Sequence, residues 1–184
     1  LSLRFIRSSS ASLPPAVFDE LKKIFKTTVI EAYGMTEATH QMTSNPMPPE
    51  IQKAGFVGKP AGPEVCIMDA QGNKLDTGVD GEVCIRGDNV TNGYENNEEA
   101  NKTAFVNGWF RTGDQGHFDD EGYLKISGRL KEIINRGGEK VSPLEVDNIL
   151  MEHEAVEQVV TFAVKDNLLG EAIGVAIVLK SGID

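Results

Sequence analysis

The order of apolar and polar positions in the first forty residues predicts a strand, a tight loop, a helix and a second strand. Apolar residues predominate over 3–7 and predict a short strand. A run of small residues follows, and Pro14 and Pro15 open a helix that reaches about Lys26. A further apolar run over 28–31 predicts the second strand. It leads into the polar, glycine-containing segment 33–37, which we expect to form a loop that presents side chains at the strand's end.

The middle of the chain differs from the first forty residues in composition and in the length of its predicted elements. Residues 45–63 contain five prolines and three glycines among few apolar residues, which predicts a surface connection rather than a core element. Short strands over 64–69 and 82–86, a helix over about 98–105 and a hairpin with strands at 117–119 and 123–127 follow. This dense spacing of strands and turns predicts a small β-rich subdomain.

A new unit begins near residues 128–131, and we expect one domain over 1–128 and another over 129–184. Ser142 and Pro143 have the pattern of an N-cap and first helical residue, with Glu145 at the third helical position. Val146, Ile149 and Leu150 are predicted to share the buried face of that helix. Strands over 156–164 and 173–179 complete a βαβ-like unit.

Composition and charge narrow the class of protein. Of the 184 residues, 40% are hydrophobic and 25% charged, as in soluble globular proteins. A net charge of −10 argues against nucleic acid and anionic membranes as partners, and no apolar run is long enough to insert into a bilayer. Cys66 and Cys84 lie in apolar runs, so we expect buried, reduced thiols. The chain starts at Leu1, in an apolar run, and stops at Asp184 after another, which predicts an internal fragment.

Candidate chemistry begins in the loop at 33–37. Tyr33 offers a face on which a planar ligand can stack, and Gly34 would let a ligand approach the backbone. The hydroxyl of Thr36 and the carboxylate of Glu37 could hold a phosphate oxygen and Mg²⁺ respectively. Taken alone, the segment indicates little beyond an ordinary polar loop after a strand.

Four segments together carry a stronger signal. Residues 33–37, residues 81–87 with Gly93 and Tyr94, residues 109–114, and residues 128–140 resemble, in order and spacing, successive core motifs of the adenylate-forming enzymes, which include acyl-CoA synthetases, firefly luciferases and peptide-synthetase adenylation domains. The resemblance implies an α/β fold: the end of a large N-terminal AMP-binding domain with a β-rich subdomain, followed by the start of a small, mobile α+β C-terminal domain.

The resemblance also implies residue roles in the first domain. Residues of the loop at 7–13 and of the strand before Gly34 would flank adenine, namely Ala11, Glu31, Ala32 and Tyr33. Thr36 would contact the α-phosphate, Glu37 would bind Mg²⁺, and Asp114 would accept hydrogen bonds from the ribose hydroxyls. The alternative for Asp114 is a turn aspartate after a glycine.

In the second domain the resemblance assigns four residues. Arg129 would reach ribose or phosphate, and Lys131 would be the hinge about which the small domain rotates. Arg129 and Lys131, together with Thr36 and Glu37, are the expected catalytic residues. Gly137 and Gly138 would leave open the tunnel for the pantetheine of coenzyme A. The alternatives are a solvated surface arginine and an ordinary glycine turn.

Within this superfamily the chain is most similar to the oxalate–CoA ligase group, in residues 35–40 with 44–46, in 81–87 and in 135–143. Ser10 and His40 lie on the two loops that line the family's acyl pocket, and each offers a donor suited to a second carboxylate. Each has an ordinary alternative as a loop hydroxyl or an exposed histidine. The family often has glycine or alanine where this chain has Ser8, Ser9 and Ser10, and the more polar wall suits a small polar acid.

The implied reaction uses ATP, Mg²⁺, coenzyme A and a carboxylic acid, and it forms an acyl-adenylate and then a thioester. The family's lysine-containing phosphate loop and its C-terminal lysine would lie upstream and downstream, so we expect the fragment alone to be inactive. Rival hypotheses are a medium-chain fatty acid or 4-coumarate-type ligase, and a non-catalytic nucleotide-binding protein of the same fold. We expect a cytoplasmic or peroxisomal enzyme.

Overall fold

A computed structural model of the chain describes residues 3–182, so Leu1 and Asp184 lie outside the described residues. The chain divides between Ile126 and Ser127 into two compact units, each of which is described by itself. Among the described residues, no helix has both the length and the apolar character needed to cross a membrane.

The described residues of the first unit form two α-helices and two sheets. Its elements are β1 (Phe5–Ser8), α1 (Pro15–Phe25), β2 (Thr28–Tyr33), β3 (Thr43–Ser44), β4 (Lys59–Pro60), β5 (Glu64–Met68), β6 (Gly81–Arg86), α2 (Glu98–Ala104), β7 (Phe105–Val106), β8 (Trp109–Phe118) and the start of β9 (Leu124–Arg129). The predicted helices and strands of this unit are present, most with ends shifted by a few residues, but the strand predicted at 117–119 is only the end of the ten-residue β8.

The first sheet has the strand order β1-β2-β3-β4. β1 and β2 are parallel and α1 connects them, as a crossover between parallel strands requires. Helix α1 buries Phe18 and ends where Lys26 takes the left-handed conformation. The strand–loop–helix–strand order read from the hydrophobic pattern is therefore confirmed.

The second sheet is antiparallel, with the order β5-β6-β8-β7, and β9 also pairs with β8. Val83 and Ile85 lie on the same face, where one apolar cluster forms around Ile85 and Phe110 and another around Val83 and Leu124. The intervening Cys84 packs with Met68 and Trp109 in a third cluster. Asp119 closes the predicted hairpin, because its Oδ1 accepts hydrogen bonds from the backbone N–H groups of Glu121 and Tyr123. The β-rich subdomain is thus present.

The proline-rich connection lies mostly on the surface, but Asn45 is an exception, only 2% exposed. Its Nδ2 donates to the carbonyl of Phe56 at 2.6 Å, and its Oδ1 accepts from the N–H of Lys53 at 2.9 Å. A connection with little secondary structure must find partners for its backbone polar groups, and Asn45 supplies some of them. The expectation of a surface connection is wrong at this residue, and Gly58 and Pro63 are buried as well.

The expectation for the cysteines holds in part. Cys84 is fully buried and Cys66 half-buried, and both are free thiols. Burial raises the pKa of Cys84 to about 12 and shifts that of Cys66 in the same direction. Both remain in the protonated, unreactive form at neutral pH.

The second unit differs from the expected βαβ arrangement. Its elements are β10 (Ile134–Arg136), β11 (Glu139–Val141), α3 (Pro143–Leu150), β12 (Val156–Asp166) and β13 (Gly170–Leu179). The sheet has the order β11-β10-β13-β12 and every neighbouring pair is antiparallel, so α3 joins strands at opposite edges. Two hairpins around one helix replace the parallel unit that the hydrophobic pattern suggested.

Helix α3 starts where the sequence predicts, since the Ser142 hydroxyl accepts from the N–H of Glu145 at 3.1 Å. Its predicted buried face is partly wrong. Val146 and Leu150 are half-buried, but Ile149 is 63% exposed. Ile149 lies about 100° around the helix from Leu150, outside the stripe at i and i+4 that faces β12.

Candidate active site

The candidate residues of the first unit gather at one edge of the first sheet. Because β1 and β2 are parallel, the loops that follow them leave the sheet at the same edge. The first loop carries Ser10 and Ala11, and the second carries Thr36, Glu37 and His40. The guanidinium of Arg7 joins the loops by donating to Oε1 of Gln41 at 3.1 Å. Ligands commonly bind beyond the carboxyl ends of parallel strands.

The second loop is held by its own backbone. Residues Thr36–Ala38 form a single 3₁₀ turn, and the N–H of His40 donates to the carbonyl of Met35 at 2.9 Å. A Cβ on Gly34 would lie 2.4 Å from the carbonyl carbon and oxygen of His40, so no other residue fits there. The backbone of the loop, rather than a ligand, occupies the space that the glycine leaves.

Tyr33 and Asp114 meet at this edge although 81 residues separate them. The hydroxyl of Tyr33, at the end of β2, donates to Oδ2 of Asp114. Asp114 lies within β8 and is only 5% exposed, so the alternative of a turn aspartate is wrong. A buried carboxylate beside an aromatic ring is suited to hold polar hydroxyls next to a planar group.

Glu37 is fixed by a segment for which the sequence suggested no role. The hydroxyl of Tyr94 donates to its Oε1 at 2.9 Å, and the N–H of Thr91 donates to its carbonyl at 2.7 Å. Burial, and then the hydrogen bond to Glu37, raise the pKa of the Tyr94 phenol. Asn101 holds Tyr94 in turn, through bonds to its N–H and carbonyl at 2.7 and 2.9 Å. The adjacent Gly93 and Tyr94 of the motif were the only signal of this contact in the sequence.

The donor set around Glu37 fits Mg²⁺. The part of the chain that the structure describes contains no group of three or more His, Cys, Asp or Glu side chains able to hold a metal ion. Mg²⁺ bound together with a nucleotide needs only one or two carboxylates, since phosphate oxygens and waters complete its octahedron. A carboxylate that accepts one hydrogen bond from Tyr94 retains lone pairs for such an ion.

Ser10 and His40 share an unusual backbone conformation. Both are exposed and have positive φ angles, 92° and 59° respectively. Non-glycine residues rarely adopt this region, and such strain concentrates at functional sites. Their role in binding an acid stays a prediction.

Glu31 and Ala32 are buried within β2. The carboxylate of Glu31 faces the proline-rich connection, where its Oε2 accepts from the N–H of Gly55 at 3.0 Å. Burial raises the pKa of Glu31 to about 7, and the bond from Gly55 offsets only part of that effect. The side chain thus serves the connection, and a place for these two residues beside adenine stays a prediction.

The raised pKa of Glu31 predicts a pH-dependent stability. In the unfolded chain this glutamate has a pKa near 4.5. Between pH 4.5 and about 7 the unfolded chain therefore loses a proton that the folded chain keeps, so the free energy of unfolding should fall as the pH rises through this range. Glu31→Gln should therefore raise the free energy of unfolding by about 1–3 kcal/mol at pH 8 and change it little at pH 5. Urea unfolding followed through Trp109, the only tryptophan in the sequence, measures this. The exposed Glu50→Gln is the control, and equal effects of Glu31→Gln at both pH values would contradict the prediction.

The remaining candidates lie in the second unit. Arg129 is exposed at the end of β9, and its carbonyl accepts from the N–H groups of Glu132 and Ile133, which places the exposed Lys131 in a tight turn. Gly137 and Gly138 form the two-residue turn between β10 and β11, with φ angles of 62° and 97°. A type I′ turn requires positive φ at both positions, so the hairpin accounts for both glycines. Their role at coenzyme A, and those of Arg129 and Lys131, stay predictions.

Comparison with known proteins agrees with this arrangement. Residues 1–95 match the family described as AMP-binding enzyme. Three curated relatives are 54–55% identical over 98% of this chain: a protein of Humulus lupulus described as a probable CoA ligase, and oxalate–CoA ligases of Saccharomyces cerevisiae and Arabidopsis thaliana. The chain spans about a third, 34–35%, of the length of these relatives.

A solved structure shows the same fold. The o-succinylbenzoate coenzyme A synthetase of Bacillus subtilis, in complex with ATP and a magnesium ion, is 31% identical and superposes with a TM-score of 0.86 over 98% of this chain and 38% of that one. The described edge of the first sheet, the family match and this superposition lead to one conclusion. The chain belongs to the AMP-binding enzyme family and has the adenylate-forming enzyme fold.

Proposed function

We propose that this chain is part of an ATP-dependent acid–CoA ligase that forms an acyl-adenylate and then an acyl-CoA thioester, with oxalate as the acid. The observation that carries the proposal is the contact between Tyr33 and Asp114, beside the loop that holds Glu37. This region brings together the ring of Tyr33, the buried carboxylate of Asp114 and the carboxylate of Glu37. The ring can stack on a base, Asp114 can accept hydrogen bonds from hydroxyl groups, and Glu37 can bind Mg²⁺, as an adenosine phosphate with its Mg²⁺ requires.

In the first step, a carboxylate oxygen of the acid attacks the α-phosphorus of ATP, and pyrophosphate leaves. Asp114 accepts hydrogen bonds from the ribose hydroxyls, which orients the nucleotide, while Tyr33 lies beside the base. The Thr36 hydroxyl donates to an α-phosphate oxygen as negative charge develops there. Glu37 would hold Mg²⁺, whose charge would offset that of the phosphates. Arg129 adds a forked cation suited to ribose or phosphate oxygens.

In the second step, the thiol of coenzyme A attacks the acyl carbon, and AMP leaves. Lys131, in an exposed turn directly after β9, is the proposed hinge between the large domain (1–128) and the small mobile domain (129–184). Gly137 and Gly138 lack side chains that would narrow a passage for pantetheine. The proposed enzyme needs catalytic parts beyond this chain, so the chain alone is expected to be inactive.

Oxalate is favoured by the polarity of the two loops. Ser10 and His40 are exposed at the edge where the acid is expected, and both carry hydrogen-bond donors. A donor buried by a monocarboxylate without a partner costs about 1–3 kcal/mol, whereas the second carboxylate of oxalate satisfies it. The names of two close relatives, both oxalate–CoA ligases, support the same acid.

The identity of the acid substrate can be tested by measuring pyrophosphate release by the full-length protein that contains this chain. Oxalate, malonate, hexanoate and 4-coumarate would be compared, and kcat/KM should be at least about tenfold higher for oxalate, the factor that one satisfied donor supplies. Ser10→Ala should reduce this preference, while Ser12→Ala, in the same exposed loop, should not. A preference for hexanoate or 4-coumarate would overturn the assignment to oxalate. ATP binding without any turnover would overturn the ligase activity.

A further inference from the structure

Asp114 lies in a bulge of β8, which the sequence pattern did not predict. Opposite β6, Glu82 pairs with Gln115 and Cys84 pairs with Arg111, so β8 advances four residues where β6 advances two. The two extra residues fall within Thr112-Gly113-Asp114. A bulge re-aims side chains and loosens the ladder of hydrogen bonds, so its shape must be held by other contacts.

Side chains supply those contacts. The hydroxyl of Thr112 donates to the carbonyl of Val83 at 2.8 Å and accepts from the N–H of Asp114 at 3.1 Å. The N–H of Gly113 donates to Oε1 of Glu82 at 3.0 Å. The backbone N–H groups of Gly113 and Asp114 are thus both satisfied, one by Glu82 and one by Thr112.

Glu82 is itself locked in place. Its side chain is 7% exposed, and its second oxygen, Oε2, accepts from Arg111 at 2.7 Å from Nε and 2.6 Å from Nη2. Arg111 directly precedes the bulge, and Gly113 is its middle residue. The buried carboxylate of Glu82 therefore connects Arg111, just before the bulge, to Gly113 at its middle. The guanidinium of Arg111 compensates the negative charge of Glu82.

We infer that Glu82, held by Arg111, is a positioning residue for Asp114. It fixes the bulge so that the carboxylate of Asp114 meets the Tyr33 hydroxyl and, resting on the proposed function, the ribose hydroxyls of ATP. Glu82 acts through the backbone of Gly113 and touches no substrate.

The same sheet supplies a matched ion pair. Glu64 on β5 and Arg86 on β6 also form a forked pair, with Nε and Nη2 at 3.1 and 2.9 Å from Oε1. Their side chains are 61% and 49% exposed. Glu64 and Arg86 thus form a carboxylate–arginine pair in the same sheet, and this pair lies outside the bulge.

The test compares ATP with 2′-deoxy-ATP in the full-length protein, because only a correctly placed Asp114 distinguishes them. The ratio of kcat/KM for the two nucleotides is measured by pyrophosphate release. Glu82→Gln should lower the ratio about tenfold, since the glutamine amide cannot accept from both Gly113 and Arg111. Glu64→Gln should leave it unchanged. A merely structural role would reduce the rates with both nucleotides equally, and an unchanged ratio in Glu82→Gln would overturn the inference.

Arg111→Lys covers the case in which Glu82→Gln does not fold. It keeps a cation beside Glu82 but loses the fork, so the ratio should fall in the same direction, and a folded variant with the wild-type ratio overturns the inference. A wild-type ratio near one would instead overturn the proposed contact of Asp114 with ribose, on which the inference rests. The two failures are therefore distinguishable.

Discussion

Asp114→Asn is expected to lower kcat/KM for ATP by about a hundredfold or more in the full-length protein. The carboxylate accepts hydrogen bonds from two ribose hydroxyls in the proposed complex, and each hydrogen bond to a charged group contributes about 1.5–3 kcal/mol. An asparagine of the same shape has no charge and only one accepting atom. Pyrophosphate release at varied ATP concentration measures the loss, which should appear mainly in KM because the ribose is remote from the reacting phosphorus.

Two further variants isolate the cause. Tyr33→Phe removes the donor to Asp114 but keeps the carboxylate and the aromatic face, so its effect should be smaller than that of Asp114→Asn. Asp120→Asn changes an exposed acidic residue of the neighbouring hairpin turn and should behave as wild type. If Asp114→Asn retained the wild-type KM for ATP, the nucleotide site would have to lie elsewhere.

Local signals made much of the fold predictable. The helices α1 and α3 begin at prolines, and the N-cap at Ser142 was readable because capping depends on residues three apart. The hairpin around Asp119 likewise depends on a short run of turn residues. Each of these features is decided by neighbours in the sequence, so a pattern of a few residues contains the information.

Features decided by distant contacts were not predictable in this way. The requirement for Gly34 comes from the carbonyl of His40, and the burial of Asn45 comes from a connection that folds back on it. The exposure of Ile149 and the antiparallel order of the sheet in the second unit depend on which strand pairs with which. Hydrophobic periodicity identifies strands but carries no information about their partners.

The candidate site shows the same division. Tyr33, Glu37 and Asp114 stood out because motifs carry them, but their contacts with one another and with supporting residues join distant segments. Tyr94 lies 57 residues from Glu37, and Glu82 lies 31 residues from Gly113. The motifs around Tyr94 and Glu82 were visible, but the tasks of these two side chains became apparent only from the structure.

Glu37→Gln is expected to reduce the rate of adenylate formation by about a hundredfold or more, the scale on which loss of one well-placed group that stabilises developing charge lowers an enzyme's rate. Glutamine preserves the size of the side chain and an acceptor for the Tyr94 hydroxyl, but it removes the negative charge that favours Mg²⁺. The apparent affinity for Mg²⁺ should fall together with the rate. Titration of pyrophosphate release with Mg²⁺ at saturating ATP measures both.

Tyr94→Phe separates charge from position. It removes the hydrogen bond to Oε1 of Glu37 while the ring keeps its contact with Phe110, whose centroid lies 6.4 Å away. The carboxylate keeps its charge but loses its orienting donor, so the Mg²⁺ titration should shift in the same direction as in Glu37→Gln and by less. An unchanged Mg²⁺ dependence in Glu37→Gln would show that another group binds the ion. A shift in Glu37→Gln alone would show that the backbone bond from Thr91 suffices to position Glu37.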